Sequence, residues 1–146
     1  MNRRLMSERA AESIAAWNRH DADGVLAHAV EDLILRDIAL AMPLHGRDAV
    51  RAAAREYMRA FPDVRVAVTS ETVDDQRVVQ EWTSEGTHRG ELMGLVATGR
   101  AVRVFGVTVL TFDEQAQVIE AAMYWNPLAV FHQLGVAVTS EPATPA

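Results

Sequence analysis

The chain has 146 residues, 49% apolar and 23% charged, which predicts one globular domain with a sizeable core. A formal charge of −6 with both signs interspersed gives no basic footprint for nucleic acid or an anionic membrane surface, and no apolar run is long enough to span a bilayer. Cysteine is absent, which excludes disulfides and thiolate chemistry, and the basic start is not followed by a signal-peptide core, so a cytoplasmic protein is expected.

Residues 5–18 place Ala10, Ile14 and Trp17 on one stripe and predict a first helix, with Ser7 as a capping candidate. Trp17 either packs into the core or forms a pocket wall that stacks on a flat ligand. In the segment NRHDADG (18–24), Asp21 or Asp23 is expected to cap a short second helix. The grouping of His20, Asp21 and Asp23 matches no metal-ligand spacing, and no metal site is expected. Residues 31–37 read as a short strand ending in Asp37, whose carboxylate is either a turn residue or a group aimed into a cavity. The apolar stretch 38–46 reads as a covering loop.

Residues 47–61 form the strongest helical pattern. Val50, Ala53, Ala54, Tyr57, Met58 and Phe61 make one face, Arg51, Arg55 and Arg59 the other, and Pro62 ends it. Residues 63–73 alternate as a half-exposed strand. The runs 77–86 and 101–112 have strand composition, and the glycines between them (Gly86, Gly90, Gly94, Gly99) predict a long, curved antiparallel hairpin. A last strand is expected at 117–125, and Asn126-Pro127 opens a terminal helix that Gly135 closes. Residues 1–135 thus read as one domain, and 136–146, rich in Thr, Ser, Pro and Ala, as a tail. Helices first and antiparallel strands last argue an α+β fold, with a curved sheet wrapped into a cone around the N-terminal helices.

Taken together, Trp82-Thr83-Ser84-Glu85-Gly86-Thr87-His88-Arg89-Gly90, then Gly94 and Thr98-Gly99-Arg100, and finally Tyr124-Trp125-Asn126-Pro127-Leu128 and Gln133-Leu134-Gly135 resemble the signature of SnoaL-like polyketide cyclases. The resemblance implies the cone-shaped α+β barrel shared with nuclear transport factor two and ketosteroid isomerase. It also implies a role in bacterial aromatic polyketide biosynthesis, no metal, and a homo-oligomer, with a homodimer as the default. Cyclase members close a ring by aldol condensation, which needs a base to remove a proton next to a carbonyl and a donor to hold the enolate oxygen.

Counting back from Gln133-Leu134-Gly135, the acidic strand position of cyclase members falls at Met123, and the aspartate that begins their final helix falls at Asn126. Val107 and Val109 stand in a strand where cyclase members carry polar groups. Methionine cannot take a proton and an asparagine amide does not titrate. In this the chain resembles the divergent members assigned to ring hydroxylation.

The candidate cavity is therefore apolar, lined by Trp17, Met58, Trp82, Val107, Val109 and Met123, with Arg103 and Tyr124 as further substrate contacts. Asp37 is the best remaining carboxylate for a base. His88 is either an acid–base group or a hydrogen-bonded structural histidine, and Asn126 either a helix cap or a ligand group. The expected ligand is a flat aromatic polyketide and no bound cofactor is expected. Ring hydroxylation would need a reductase partner, a carried-in flavin, or a substrate that meets oxygen directly. The rivals are an aldol cyclase that uses Asp37 or His88, and a non-catalytic polyketide-binding protein.

Overall fold

A computed structural model describes residues 2–137. The expected tail lies outside the described residues from 138 onward. The elements in chain order are α1 (Arg3–Asn18), α2 (Ala22–Val25), β1 (Ala29–Asp37), β2 (Leu44–His45), α3 (Arg47–Ala60), β3 (Arg65–Val73), β4 (Arg77–Thr87), β5 (Ala101–Phe112), β6 (Val118–Trp125) and α4 (Pro127–Gln133). The fold is the expected α+β type. One addition is β2, a two-residue strand inside the segment read as a loop, too short to show any alternation in sequence. Asn2, not Ser7, caps α1: its side chain accepts from the Leu5 N–H at 3.0 Å, while Ser7 donates to Glu71 on β3. Asp21 caps α2 by accepting from the Gly24 N–H at 3.0 Å.

The six strands form one sheet in the order β2-β1-β6-β5-β4-β3. All neighbours are antiparallel except β1 and β6, which run parallel. Register fixes which side chains share a face, because alternation carries successive residues to opposite sides. Trp82 pairs with Gly106, and Gly106 with Trp125; Thr108 pairs with Met123, and Met123 with Asp37. These residues therefore lie on one face, and it is the face the helices cover. Met6 and Ala10 of α1 pack with Val78 of β4 and Phe112 of β5, and Val50 of α3 packs with Leu33 and Leu35 of β1 and Ala121 of β6. Full burial of the larger of these, Met6, Leu33, Val78 and Phe112, contributes roughly 1.5–3 kcal/mol each.

Two glycines are needed where backbone or ring comes too close for a side chain. At Gly90 an added Cβ would sit 2.5 Å from the Arg59 carbonyl oxygen. There the Arg89 and Gly90 N–H groups both donate to the Ala60 carbonyl, at 2.9 and 3.1 Å, and so grip the end of α3. At Gly106 an added Cβ would sit 2.3–2.9 Å from three atoms of the Trp82 indole, which lies across the strand and donates from Nε1 to Thr108 Oγ1 at 2.8 Å.

Gly106→Val would drive a branched side chain into that ring. We expect it to destabilise the fold by about 1–3 kcal/mol in urea unfolding; an unchanged midpoint would contradict the placement of the indole.

Candidate active site

The parallel pairing of β1 with β6 brings together the groups best placed for chemistry. Asp37 ends β1, and Met123 is its partner on β6. Asp37 serves both roles considered from sequence. Its Oδ1 accepts from the Ala39 N–H at 2.9 Å, which shapes the turn, and from the Trp125 Nε1–H at 2.8 Å. Both donors fall on Oδ1, so Oδ2 keeps its accepting capacity for a ligand. The Trp125 ring is in turn met edge-on by Tyr57 of α3, with centroids 6.2 Å apart and planes at 78°. Tyr57 also stacks on Phe61 at 6.3 Å and 25°. Burial, and then the negative charge of Asp37, push the Tyr57 phenol well above its ordinary value. The phenol thus stays protonated beside a carboxylate. Polar Thr108 and apolar Met123 continue this face.

A cleft of about 210 Å³ opens where β1 ends, lined by Arg36, Asp37, Ile38, Leu40, Pro43 and Tyr124. Ile38, Leu40 and Pro43 of the apolar 38–43 segment line it, and Ile38 and Met42 of that segment are 60% and 74% exposed. A second cleft, of about 500 Å³, is lined by Glu31, Asp32, His45 and Gly46 and lies away from these groups.

The other expected site residues divide clearly. Met123 and Trp82 share the covered face with Asp37. Trp17 and Met58 pack with Ala22 and Ala54 in a cluster between the helices, which is the core reading of Trp17. Val107 and Val109, expected to line the cavity, lie on the opposite face: Val107 pairs with Glu81 and Tyr124, and Val109 with Val79 and Ala122. The reason is the alternation set by Trp82 and Gly106, which turns Thr108 inward instead. The same parity puts Tyr124 and Arg103 outside. Arg103 lies 3.4 Å from Glu85 and over the exposed Phe105 ring at 5.5 Å. Tyr124, with Arg36 of the same outer face, lines the cleft beside Asp37.

His88 is fully buried and apart from Asp37. Its Nδ1 accepts from the Thr98 N–H at 3.1 Å and lies 3.0 Å from Thr98 Oγ1, its ring packs on Phe61 at 5.6 Å, and its backbone bonds to Arg100 and Gly99. Those contacts hold the base of the 88–100 loop. An accepting Nδ1 leaves the proton on Nε2 in the neutral ring. Asn126 caps α4, its Oδ1 accepting from the Ala129 N–H at 3.2 Å. Sequence reasoning passed over Tyr57 and Trp125 as site residues. Tyr57 was hidden among the apolar positions of α3, but Trp125 has the same strand parity as Met123, which was a usable signal.

A curved six-stranded sheet covered by the N-terminal helices is an α+β fold of the ketosteroid isomerase-like kind. The family model for SnoaL-like polyketide cyclase matches residues 8–134, and the chain belongs to that family. Among solved structures it is similar to AclR, a candidate hydroxylase from Streptomyces galilaeus, at 27% identity, covering 92% of this chain and 98% of that one with a TM-score of 0.82. It is also similar in fold to IdmH, a candidate polyketide cyclase from Streptomyces antibioticus, at 20% identity, 90% and 99% coverage and a TM-score of 0.75. A protein with a ketosteroid isomerase-like fold from Catenulispora acidiphila shares 18% identity over 92% of this chain and 98% of that one, with a TM-score of 0.77. No curated protein matches the chain. Among the described residues no helix is long and apolar enough to cross a membrane.

The raised Tyr57 phenol has a consequence for alkaline stability. A group whose folded value is raised contributes stability that is intact below its unfolded value, near 10, and is lost as pH climbs from there through the folded value. Phenolate absorbance should therefore show one delayed component in the native protein, and Tyr57→Phe should remove it. A delayed component that survives this substitution would place the buried phenol elsewhere.

Proposed function

We propose that the protein hydroxylates a ring of a polycyclic aromatic polyketide of the anthracycline type, in the cytoplasm, with Asp37 as the base that removes a substrate proton. The observation that carries this reading is the Asp37 carboxylate, held on Oδ1 by Trp125 and Ala39 with Oδ2 left to accept. Met123, where the resemblance puts the cyclase acid, pairs with Asp37, and the Asn126 amide is engaged in capping α4. On this reading Asp37, one strand across, takes the place of the base, and an asparagine amide at the second position does not titrate. Similarity to AclR, a candidate hydroxylase, points the same way.

Loss of a proton makes the aromatic ring electron-rich, the form that reacts with oxygen. Inserting one oxygen atom from O2 into a C–H bond, with the other leaving as water, consumes two electrons and two protons. A reductase partner supplies the electrons, either to the substrate beforehand or through a flavin it carries. Asp37 borders the 210 Å³ cleft, while Trp82, Met123 and Trp125 lie on the covered face and do not line it; a flat ligand that reaches Asp37 from the covered face meets their apolar and aromatic surface. A polycyclic ligand overfills the 210 Å³ cleft, since pockets for such ligands run to about 300–1,000 Å³. Binding therefore displaces the 38–43 segment, whose Ile38, Leu40 and Met42 then cover the ligand. The opposite sheet face, with Phe105 67% and Tyr124 44% exposed beside Val107 and Val109, supports a homodimer.

Aldol cyclisation is the second reading, favoured by the same Asp37 geometry, because ring closure also begins with proton removal. Mass spectrometry after incubation with a hydroxyanthraquinone ester, oxygen and a chemical reductant separates the two. Gain of one oxygen supports hydroxylation, whereas ring closure of an unclosed ester, seen as a chromatographically distinct isomer or as loss of water, supports the cyclase. In either case Asp37→Asn should lower kcat by about 10²–10⁴-fold. Full activity in Asp37→Asn would end both proposals.

A further inference from the structure

Removal of a proton by Asp37 moves negative charge from the carboxylate onto a substrate oxygen, and a neutral donor must meet it there. We propose that Tyr57 is that donor and thus a catalytic residue of this site, hydrogen-bonding through its phenol O–H to the enolate or phenolate oxygen of the deprotonated substrate. The proposal rests on Asp37 acting as the base. In the step, the substrate C–H or O–H bond breaks, the proton passes to Asp37 Oδ2, and the electron pair delocalises onto the substrate oxygen.

Three observations carry it. Tyr57 is fixed in direction by two rings, stacked on Phe61 and edge-on to Trp125, and Trp125 is the group that holds Asp37. The phenol and the base are therefore set relative to each other through one shared indole. The phenol oxygen is largely buried yet takes part in no hydrogen bond with another described residue, so its proton is available to a ligand. Finally, burial and then the Asp37 charge raise the phenol well above its ordinary value, so it remains a donor where a free phenol would ionise. A preorganised neutral donor in a partly dry site is the arrangement that stabilises a developing oxyanion. The other buried candidate, His88, cannot substitute, because it is sealed against Phe61 and Thr98.

Substituted 2-naphthols test this without requiring the natural substrate. Asp37→Asn removes the base's charge while keeping its shape, so the site should take up the naphtholate form, which fluorescence distinguishes from the naphthol. Adding Tyr57→Phe, which keeps both aromatic contacts, should weaken naphtholate binding by about tenfold or more and leave 2-methoxynaphthalene binding unchanged. In the otherwise native enzyme, Tyr57→Phe should lower kcat by about 10–100-fold with KM held within about twofold. Naphtholate binding that is unaffected by Tyr57→Phe would overturn the proposal while leaving Asp37 in place. Failure of every naphthol and of 2-methoxynaphthalene to bind would overturn the underlying site as well.

Discussion

One hydrogen bond organises the site: the Trp125 indole N–H to Asp37 Oδ1 across the one parallel strand pair among the described residues. A side-chain carboxylate at the end of a strand would otherwise turn freely into solvent or serve its own turn. Here the turn and the indole both engage the same oxygen, and the second oxygen is left for chemistry. Hydrogen bonds to a charged acceptor are stronger than neutral ones, so this pair also fixes where the Trp125 ring lies. The ring fixes Tyr57, and Tyr57 fixes Phe61. A row of aromatic contacts thus runs from the base inward to His88.

The rest of the fold keeps that row in place. The indole of Trp82 lies over Gly106, so β5 comes close and turns Thr108 rather than its valine neighbours toward the helices. Asn18 of α1 bonds both ways to the Val66 backbone of β3, and the 88–90 turn clasps the end of α3. Outside, Arg36 pairs with Glu120 and Arg103 with Glu85, cross-strand pairs of opposite charge on a solvated face. Such exposed pairs contribute little to stability and leave the apolar strip from Phe105 to Tyr124 as the notable feature of that side.

Much of this was legible in the chain. Helical periodicity with Pro62 located α3 within a residue, strand composition located β5 exactly as far as its ends, and Asn126-Pro127 located α4. What sequence could not supply was parity and partnership. A strand in which Phe105, Val107 and Val109 alternate with Val104, Gly106 and Thr108 offers apolar residues on both faces, so hydrophobic pattern alone cannot say which looks inward. The glycine opposite Trp82 decides it, and that pairing is a long-range fact. The parallel contact of β1 with β6 joins segments more than eighty residues apart and has no local signature. Asp37 could be named as a candidate base and the parity of Trp125 with Met123 could be read, but the Trp125–Asp37 bond and the approach of Tyr57 exist only once those strands and α3 meet.

The account turns on whether a flat phenolic ligand places its reacting oxygen between Asp37 and Tyr57. A crystal structure of the protein with a bound hydroxyanthraquinone measures this directly. The account predicts a ligand oxygen within hydrogen-bonding distance of both Asp37 and the Tyr57 hydroxyl, with the 38–43 segment moved over its apolar rings. A ligand seated on the outer face beside Phe105 and Val107, or one out of reach of Asp37, would contradict it.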